Sequence, residues 1–382
     1  MDRRRFVNAL GAVPLLAAMP RAGEPSEDVP EKLKDTTYQD IKGFNYVPSY
    51  AATIWDVIDL FDAEVWDREF GYSKRFHSNA LRIWCDYISF QKDGKHFLKC
   101  WEKALALAET HGLKLKITLA NRWTDSTWTY GQLDFAVTLR GEASDEYRNY
   151  LRTFVGTFKN HPQVLMWDIC NEPFFPLWNP ESDGGVLHTL LKEQELRFWR
   201  SVIETIRSAS PSQPITIGVH QLLDWTPEAI FDLVDVISCH PYAGWWDGAR
   251  DFKNICDYYI RVANQRSKPL ICSETCQGSK NNETRTQIIQ VCLHELEKRR
   301  IGWLAWQLMA GKIVTARWDR TDKNCRPGDD SVMYFVEKDG RTRPGHEEKE
   351  CRRDTKADGD CETPCEHRFS GIRGDPRNVP AL

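Results

Sequence analysis

"VLMWDICNEP", residues 164–173, joins an apolar run to an amide, a carboxylate and a proline. Val164 to Trp167 have the length and composition of a buried strand. Pro173 cannot donate to a ladder, so the chain has to leave the sheet there. Asn171 and Glu172 are therefore expected on the lip of a sheet, where a carboxylate is costly unless something uses it. A second stretch ends the same way: "KPLICSET", residues 268–275, carries Glu274 after an apolar run. Between the two, "PITIGVH" (214–220) and "VDVISCH" (234–240) each end in histidine.

Extending the reading gives strand candidates at 41–46, 79–84, 113–120, 164–170, 215–220, 235–240, 269–274 and 301–306. Apolar residues spaced by three and four predict helices over 96–111 (closed by Gly112), 144–159, 190–208 and 226–233, where Thr226 and Pro227 make a helix start. Strands alternating with helices imply a parallel sheet covered by helices. Eight such repeats predict an α/β fold of the closed (β/α)8 TIM-barrel type, a single catalytic domain over residues 39–345. No glycine-rich phosphate loop follows any strand, which disfavours a dinucleotide-binding sheet.

In such a barrel, functional residues gather at the carboxyl ends of strands. Those ends read Asn45, Arg82, Asn121, Asn171 with Glu172, His220, His240 with Tyr242, Glu274, and Trp306. The fourth and seventh strands face one another across the mouth, so their glutamates form a pair. Carboxylates about 5 Å apart suit a retaining glycosidase, and a gap of roughly 6.5–9.5 Å an inverting one. With Arg82, "NEP" (171–173), "HPY" (240–242), "SET" (273–275) and Trp306 in that order, the chain resembles the retaining glycoside hydrolases on (β/α)8 barrels. It looks most like the cellulase-like family 5 and its relatives, over roughly residues 40–345. Many members of that family carry histidine after the third strand, where this chain has Asn121, Arg122 and Trp123.

The resemblance implies that Glu172 is the general acid/base and Glu274 the nucleophile, acting on a carbohydrate with no cofactor and no metal. The chemistry is consistent with that division. Two close carboxylates cannot both ionise cheaply, so one stays protonated and serves as the acid. Arg82 is expected to hold Glu274 ionised, and Tyr242 to donate a hydrogen bond to the same carboxylate. Asn171 is expected at the sugar 2-hydroxyl, and His240 to orient Glu172 or a substrate hydroxyl. Blander readings compete at other positions. His220 fits a satisfied core residue, Asp168 a buried structural hydrogen bond, and Glu181 with Asp183 a solvated loop. Two rival functions remain: a noncatalytic carbohydrate-binding barrel, which has no need of both glutamates, and a metal-dependent hydrolase using His220, His240 and the carboxylates. The second lacks a His-x-His after the first strand, and chelator-insensitive activity would exclude it.

Fifteen tryptophans are many for 382 residues. Trp55, Trp66, Trp101 and Trp199 are expected to pack helices on the barrel. Trp123, Trp245, Trp246 and Trp306 follow or end strands and are expected to stack on sugar faces. At 28% charged residues and a net charge of −4, with basic residues dispersed, nothing points to nucleic acid. The opening "MDRRRFVNALGAVPLLAAMPRAG" (1–23) has arginines before a short apolar run. It is too short to span a bilayer and reads as an export signal resembling the twin-arginine type, which implies a bacterial protein exported folded. Residues 24–38 read as a linker and 346–382 as a charged, poorly ordered tail containing Cys351, Cys361 and Cys365. Cys85, Cys170, Cys239 and Cys272 lie in apolar strands, where free cysteine behaves as a small hydrophobe.

Two expectations can be checked directly. Mass analysis of the exported protein should find an N-terminus beyond about residue 18 rather than Met1. Trp245→Ala or Trp246→Ala should weaken substrate binding by about 1–3 kcal/mol while leaving the melting temperature nearly unchanged; a loss of stability with unaltered binding would make these indoles core.

Overall fold

Strand alternation decides which side chains enter a closed sheet and which face its helices. The computed structural model describes residues 32–85, 87–121, 140–174, 186–220, 226–243, 249–313 and 332–347, and the backbone of two short paired strands, Thr124–Asp125 and Trp128–Thr129. Eight parallel strands close on themselves: β1 (Lys42–Asn45), β2 (Ala80–Trp84), β3 (Lys114–Thr118), β4 (Val164–Asn171), β5 (Ile215–His220), β6 (Val236–His240), β7 (Leu270–Cys272) and β8 (Gly302–Ala305). Each pairs with its sequence neighbours, and β1 pairs with β8. All eight strands expected from the sequence are present.

Helices follow the first seven strands in turn: α1 (Ala63–Ser73), α2 (Gly94–Thr110), α3 (Asp145–Phe158), α4 (Val186–Ser208), α5 (Ile230–Leu233), α6 (Ala249–Arg266) and α7 (Asn282–Lys298). Local chemistry sets their ends. Asp62, Asp93, Ser144 and Asn281 accept hydrogen bonds from first-turn N–H groups of α1, α2, α3 and α7. Gly112, at φ +61°, closes α2, and Leu113 N donates back to the Ala108 carbonyl at 2.7 Å. The helix expected over 226–233 is shorter. Ile230 N and Phe231 N bond to the carbonyls of Pro227 and Glu228, three residues back, so the segment opens as tight turns before α5.

Strand residues Leu81, Ile83, Leu115, Ile117, Trp167 and Ile169 are fully buried and share one core with the helical Trp66, Trp101, Phe154 and Trp199. Phe154 of α3 meets Trp167 of β4 edge-on at 5.5 Å and Trp101 of α2 at 5.3 Å. Each such aromatic pair adds about 0.5–1.5 kcal/mol to its buried area. Trp55 packs against the same core from a partly buried position. A separate small cluster of Met166, Val236 and Ile271 comes from the alternate residues of β4, β6 and β7. Other alternate positions carry buried polar side chains: Arg82, Lys116, Thr118, Asp168, Thr216 and Ser238. The barrel therefore has an apolar jacket and a charged interior.

Residues 32–38 pack against α6: Leu33 is buried, Lys34 N donates to Asn264 Oδ1, and Asn264 Nδ2 donates to the Lys32 carbonyl. After β8, residues 332–347 hold bridges of Val336 to Met309 and Thr342, and no helix among the described residues. The expected export signal and the three cysteines of the tail lie outside the described residues. No helix among the described residues is long and apolar enough to cross a membrane.

Candidate active site

Register places the first polar residues of the site side by side. Asn45 of β1 pairs with Arg82 of β2, and Arg82 pairs with Lys116 of β3. Arg82 is fully buried and reaches acceptors from four directions. Its Nε donates to Asp168 Oδ2 at 3.0 Å, and Nη2 lies 2.9 Å from the same oxygen. Nη2 also donates to Asn171 Oδ1 at 2.9 Å, and Nη1 to Asn45 Oδ1 at 3.0 Å and to Glu274 Oε1. A guanidinium held by acceptors on all sides cannot swing, so it fixes the position of the Glu274 carboxylate.

The other oxygen of Glu274 accepts from the Tyr242 hydroxyl at 2.8 Å. His240 bridges the two glutamates: its Nδ1 lies 2.9 Å from Glu172 Oε1 and 3.7 Å from Glu274 Oε2. On its far side Nε2 lies 2.9 Å from Ser273 Oγ, which is 2.6 Å from Ser238 Oγ. Glu172 leaves β4 at φ +48°, a left-handed conformation, with its N–H on the Gly218 carbonyl. Asn171 Nδ2 donates to Asn121 Oδ1 at 3.1 Å. Trp306, 2% exposed at the end of β8, has its ring 5.1 Å from that of Trp84 at the end of β2. Neither indole N–H has a hydrogen-bond partner among the described residues.

Electrostatics separates the roles of these groups. Burial, with Arg82, Lys116 and His220 adding to it, pushes the His240 imidazole well below its usual range, so the ring is neutral. Burial also pushes His220 down, to about 3. Tyr242 is pushed well above its usual range by burial and by Glu274 and Glu172, which keeps it a donor. Burial raises the Glu274 carboxyl, against the pull of Arg82, the Tyr242 hydroxyl and Lys116, and the net shift is upward. One donor atom each from Glu172, His240 and Glu274 lies within 4.8 Å of the others, a spacing that a cation could also use. The guanidinium already on Glu274 opposes a second positive charge there.

Arg82, Asn121, Asn171, Glu172, His240, Tyr242, Glu274 and Trp306, read from different strands, thus meet at one mouth. Trp123, Trp245 and Trp246 lie outside the described residues, as do Glu181 and Asp183. Asp168 is buried and hydrogen-bonded, and it also serves Arg82 directly. Three contributors went unread in the sequence: Lys116, Trp84 and Arg285. Arg285 of α7 is buried and donates to the carbonyls of Cys276, Gln277 and Trp306, tying together the segments that follow β7 and β8. A buried arginine on a helix looks like any solvated one in a sequence. Cys85, Cys170, Cys239 and Cys272 are buried and form no disulfide among the described residues.

A closed eight-stranded parallel barrel with two buried carboxylates at the carboxyl ends of β4 and β7 defines the class of this molecule. The chain belongs to the cellulase family, glycosyl hydrolase family 5, whose profile matches residues 70–312. It is 28% identical over 210 residues to a probable mannan endo-1,4-β-mannosidase C of Aspergillus terreus, covering 46% of this chain and 49% of that protein. It is 31% identical over 170 residues to mannan endo-1,4-β-mannosidase A of Aspergillus aculeatus, covering 38% of this chain and 42% of the relative. The chain thus spans less than half the length of these relatives. Among solved structures it is similar to GH5_18 from Streptomyces cattleya in complex with GlcNAc, at 14% identity and a TM-score of 0.59, covering 80% of this chain and 78% of that one. It is also similar to an exo-β-1,4-mannosidase from Opitutaceae bacterium strain TAV5, at 16% identity and a TM-score of 0.57, covering 80% and 57%. At such identities the likeness speaks for the fold.

Gly218 gives a test of the geometry. A Cβ there would lie 2.5 Å from His240 Nε2 and 3.4 Å from Arg82 Nη2, and the imidazole has no slack between Glu172 and Ser273. Gly218→Ala is expected to lower turnover about a hundredfold through misplacement of about 1 Å. Kinetics alongside thermal melting check this. Native turnover at a native melting temperature would show that His240 placement is not critical.

Proposed function

We propose that this protein hydrolyses β-glycosidic bonds with retention, and that β-1,4-linked mannose residues are its substrate class. The observation that carries the reaction class is the convergence of Glu172, His240 and Glu274 within 4.8 Å, with Arg82 and Tyr242 both on Glu274. Carboxyl groups about 5–5.5 Å apart leave no room for an intervening water, so one of them attacks the sugar itself. The names of the curated relatives support the mannan assignment.

In this reading Glu274 attacks the anomeric carbon while Glu172 gives its proton to the leaving oxygen. Arg82 and the Tyr242 hydroxyl keep the nucleophile ionised and aimed. A neutral His240 suits a residue whose partner changes protonation twice per cycle. It can donate to Glu172 as carboxylate and accept from it as acid, with the Ser273 and Ser238 hydroxyls following the change of tautomer. Asn171, clamped by Arg82 and Asn121, would offer its remaining amide N–H to the sugar 2-hydroxyl, a bond that strengthens in the transition state. Trp306, with Trp84 beside it, would floor the sugar. The arginines and short apolar run of residues 1–23 support action outside the cytoplasm.

Mutant stereochemistry tests the two roles. Glu274→Ala should lose nearly all turnover, and added azide should then give the α-glycosyl azide. Glu172→Ala should retain activity on aryl glycosides with good leaving groups and yield the β-azide. Exchanged products would swap the assignments, and inversion by the wild type would remove the retaining mechanism. Comparison of mannan with xylan, β-glucan and cellulose hydrolysis tests the substrate class.

A further inference from the structure

One buried cation at the heart of the barrel has no part in the chemistry described so far. Lys116 sits on β3 with a fully buried side chain, its ammonium on Asp168 Oδ2. That oxygen also accepts from the Thr118 hydroxyl at 2.8 Å and from Arg82 Nε, while Asp168 Oδ1 accepts from Gly218 N at 2.9 Å. Arg82 is thus shared between two carboxylates, Asp168 beneath it and Glu274 above. One guanidinium cannot neutralise both. Without a further cation the cluster would bury a net negative charge, and such a site relieves the cost by taking up a proton. Asp168, with four donors on it, is the poorer place for that proton. Glu274 would receive it, and a protonated Glu274 cannot attack.

We propose that Lys116 is a positioning residue for the reaction: by neutralising Asp168 from the β3 side, it leaves the Arg82 guanidinium free to serve Glu274 as carboxylate. This rests on the reading of Glu274 as nucleophile and goes beyond it by assigning the charge balance that keeps that nucleophile usable. The groups facing Glu274 are Arg82 from β2, Lys116 from β3, Glu172 after β4, and His240 and Tyr242 from β6 and its end. Cys272 gives its thiol hydrogen to the Glu274 backbone carbonyl. Those facing Lys116 are Asp168, Arg82 and Glu274. Burial lowers the Lys116 ammonium to about 7 despite Asp168, so it is charged throughout the acid range in which a carboxylate nucleophile is gained or lost. Burial opposes ionisation of Asp168 too, but Lys116, Arg82 and Thr118 outweigh it and hold that carboxyl below its usual range.

The nucleophile works deprotonated, so kcat/KM falls as pH drops through the Glu274 value of the free enzyme. Removing the Lys116 charge raises that value and moves the acid limb upward. The experiment is the pH profile of kcat/KM on an aryl β-mannoside for wild type, Lys116→Met, Lys116→Arg and the double variant Lys116→Met/Asp168→Asn. Lys116→Met is expected to move the acid limb up by about one pH unit, a tenfold loss on that limb. Lys116→Arg should leave the limb in place. The double variant removes both charges and should return the limb to the wild-type position, a rescue that packing alone would not produce. If Lys116→Met fails to fold, the double variant is still expected to fold, because its buried charges cancel. A limb unmoved in Lys116→Met, or a double variant that is unfolded or shifted further, would overturn the proposal. A wild type inactive on every β-glycoside would instead count against the function proposed above.

Discussion

The Arg82 guanidinium joins the interior of this barrel to its mouth. Burial of an arginine is tolerable only where acceptors meet it on every side, and here Asn45, Asp168, Asn171 and Glu274 do so from three different strands or their ends. Those acceptors are placed by strand register, so the active-site geometry depends on closure of the sheet. Because the groups bind one another through a single planar cation, displacement of any of them is felt at Glu274.

Burial has opposite consequences for the other ionisable groups. It neutralises His240 and keeps Tyr242 protonated, making one a two-way hydrogen-bond relay and the other a fixed donor. It raises Glu274, and the cations beneath limit the rise. The barrel interior is therefore an electrostatic device as well as a scaffold, with its apolar packing transferred to the jacket of Trp66, Trp101, Phe154 and Trp199 between strands and helices. Separation of the two is physically sensible. Aromatic packing holds the sheet closed without competing for the polar groups within.

Much of this was legible before the fold was seen. The strand endings "NEP" and "SET" mark carboxylates that a sheet could not otherwise accommodate, and eight apolar runs separated by helical spacing define a barrel. Lys116 was not legible, for a specific reason. In "LKLKITLA", lysines alternating with leucine and isoleucine have the pattern of a strand with one solvated face, and period-two alternation cannot distinguish water from a buried carboxylate. Asp168 presented the same ambiguity from the other side: its burial was expected, but its partners lie 86 and 52 residues away in the chain. Arg285 and Trp84 escaped for similar reasons, a helix arginine and a strand-end tryptophan being unexceptional until their neighbours are known.

The sequence by itself determined the order of strands and helices, the closed barrel, and the residue types at the strand ends, because these follow from local periodicity and from the cost of ending an apolar strand in charge. Tertiary structure alone decided which polar side chains share the interior. It paired Lys116 with Asp168, divided Arg82 between two carboxylates, and set a neutral His240 between Glu172 and Glu274. Those choices depend on strand register and on the loss of water around each charge, and both arise only when the sheet closes.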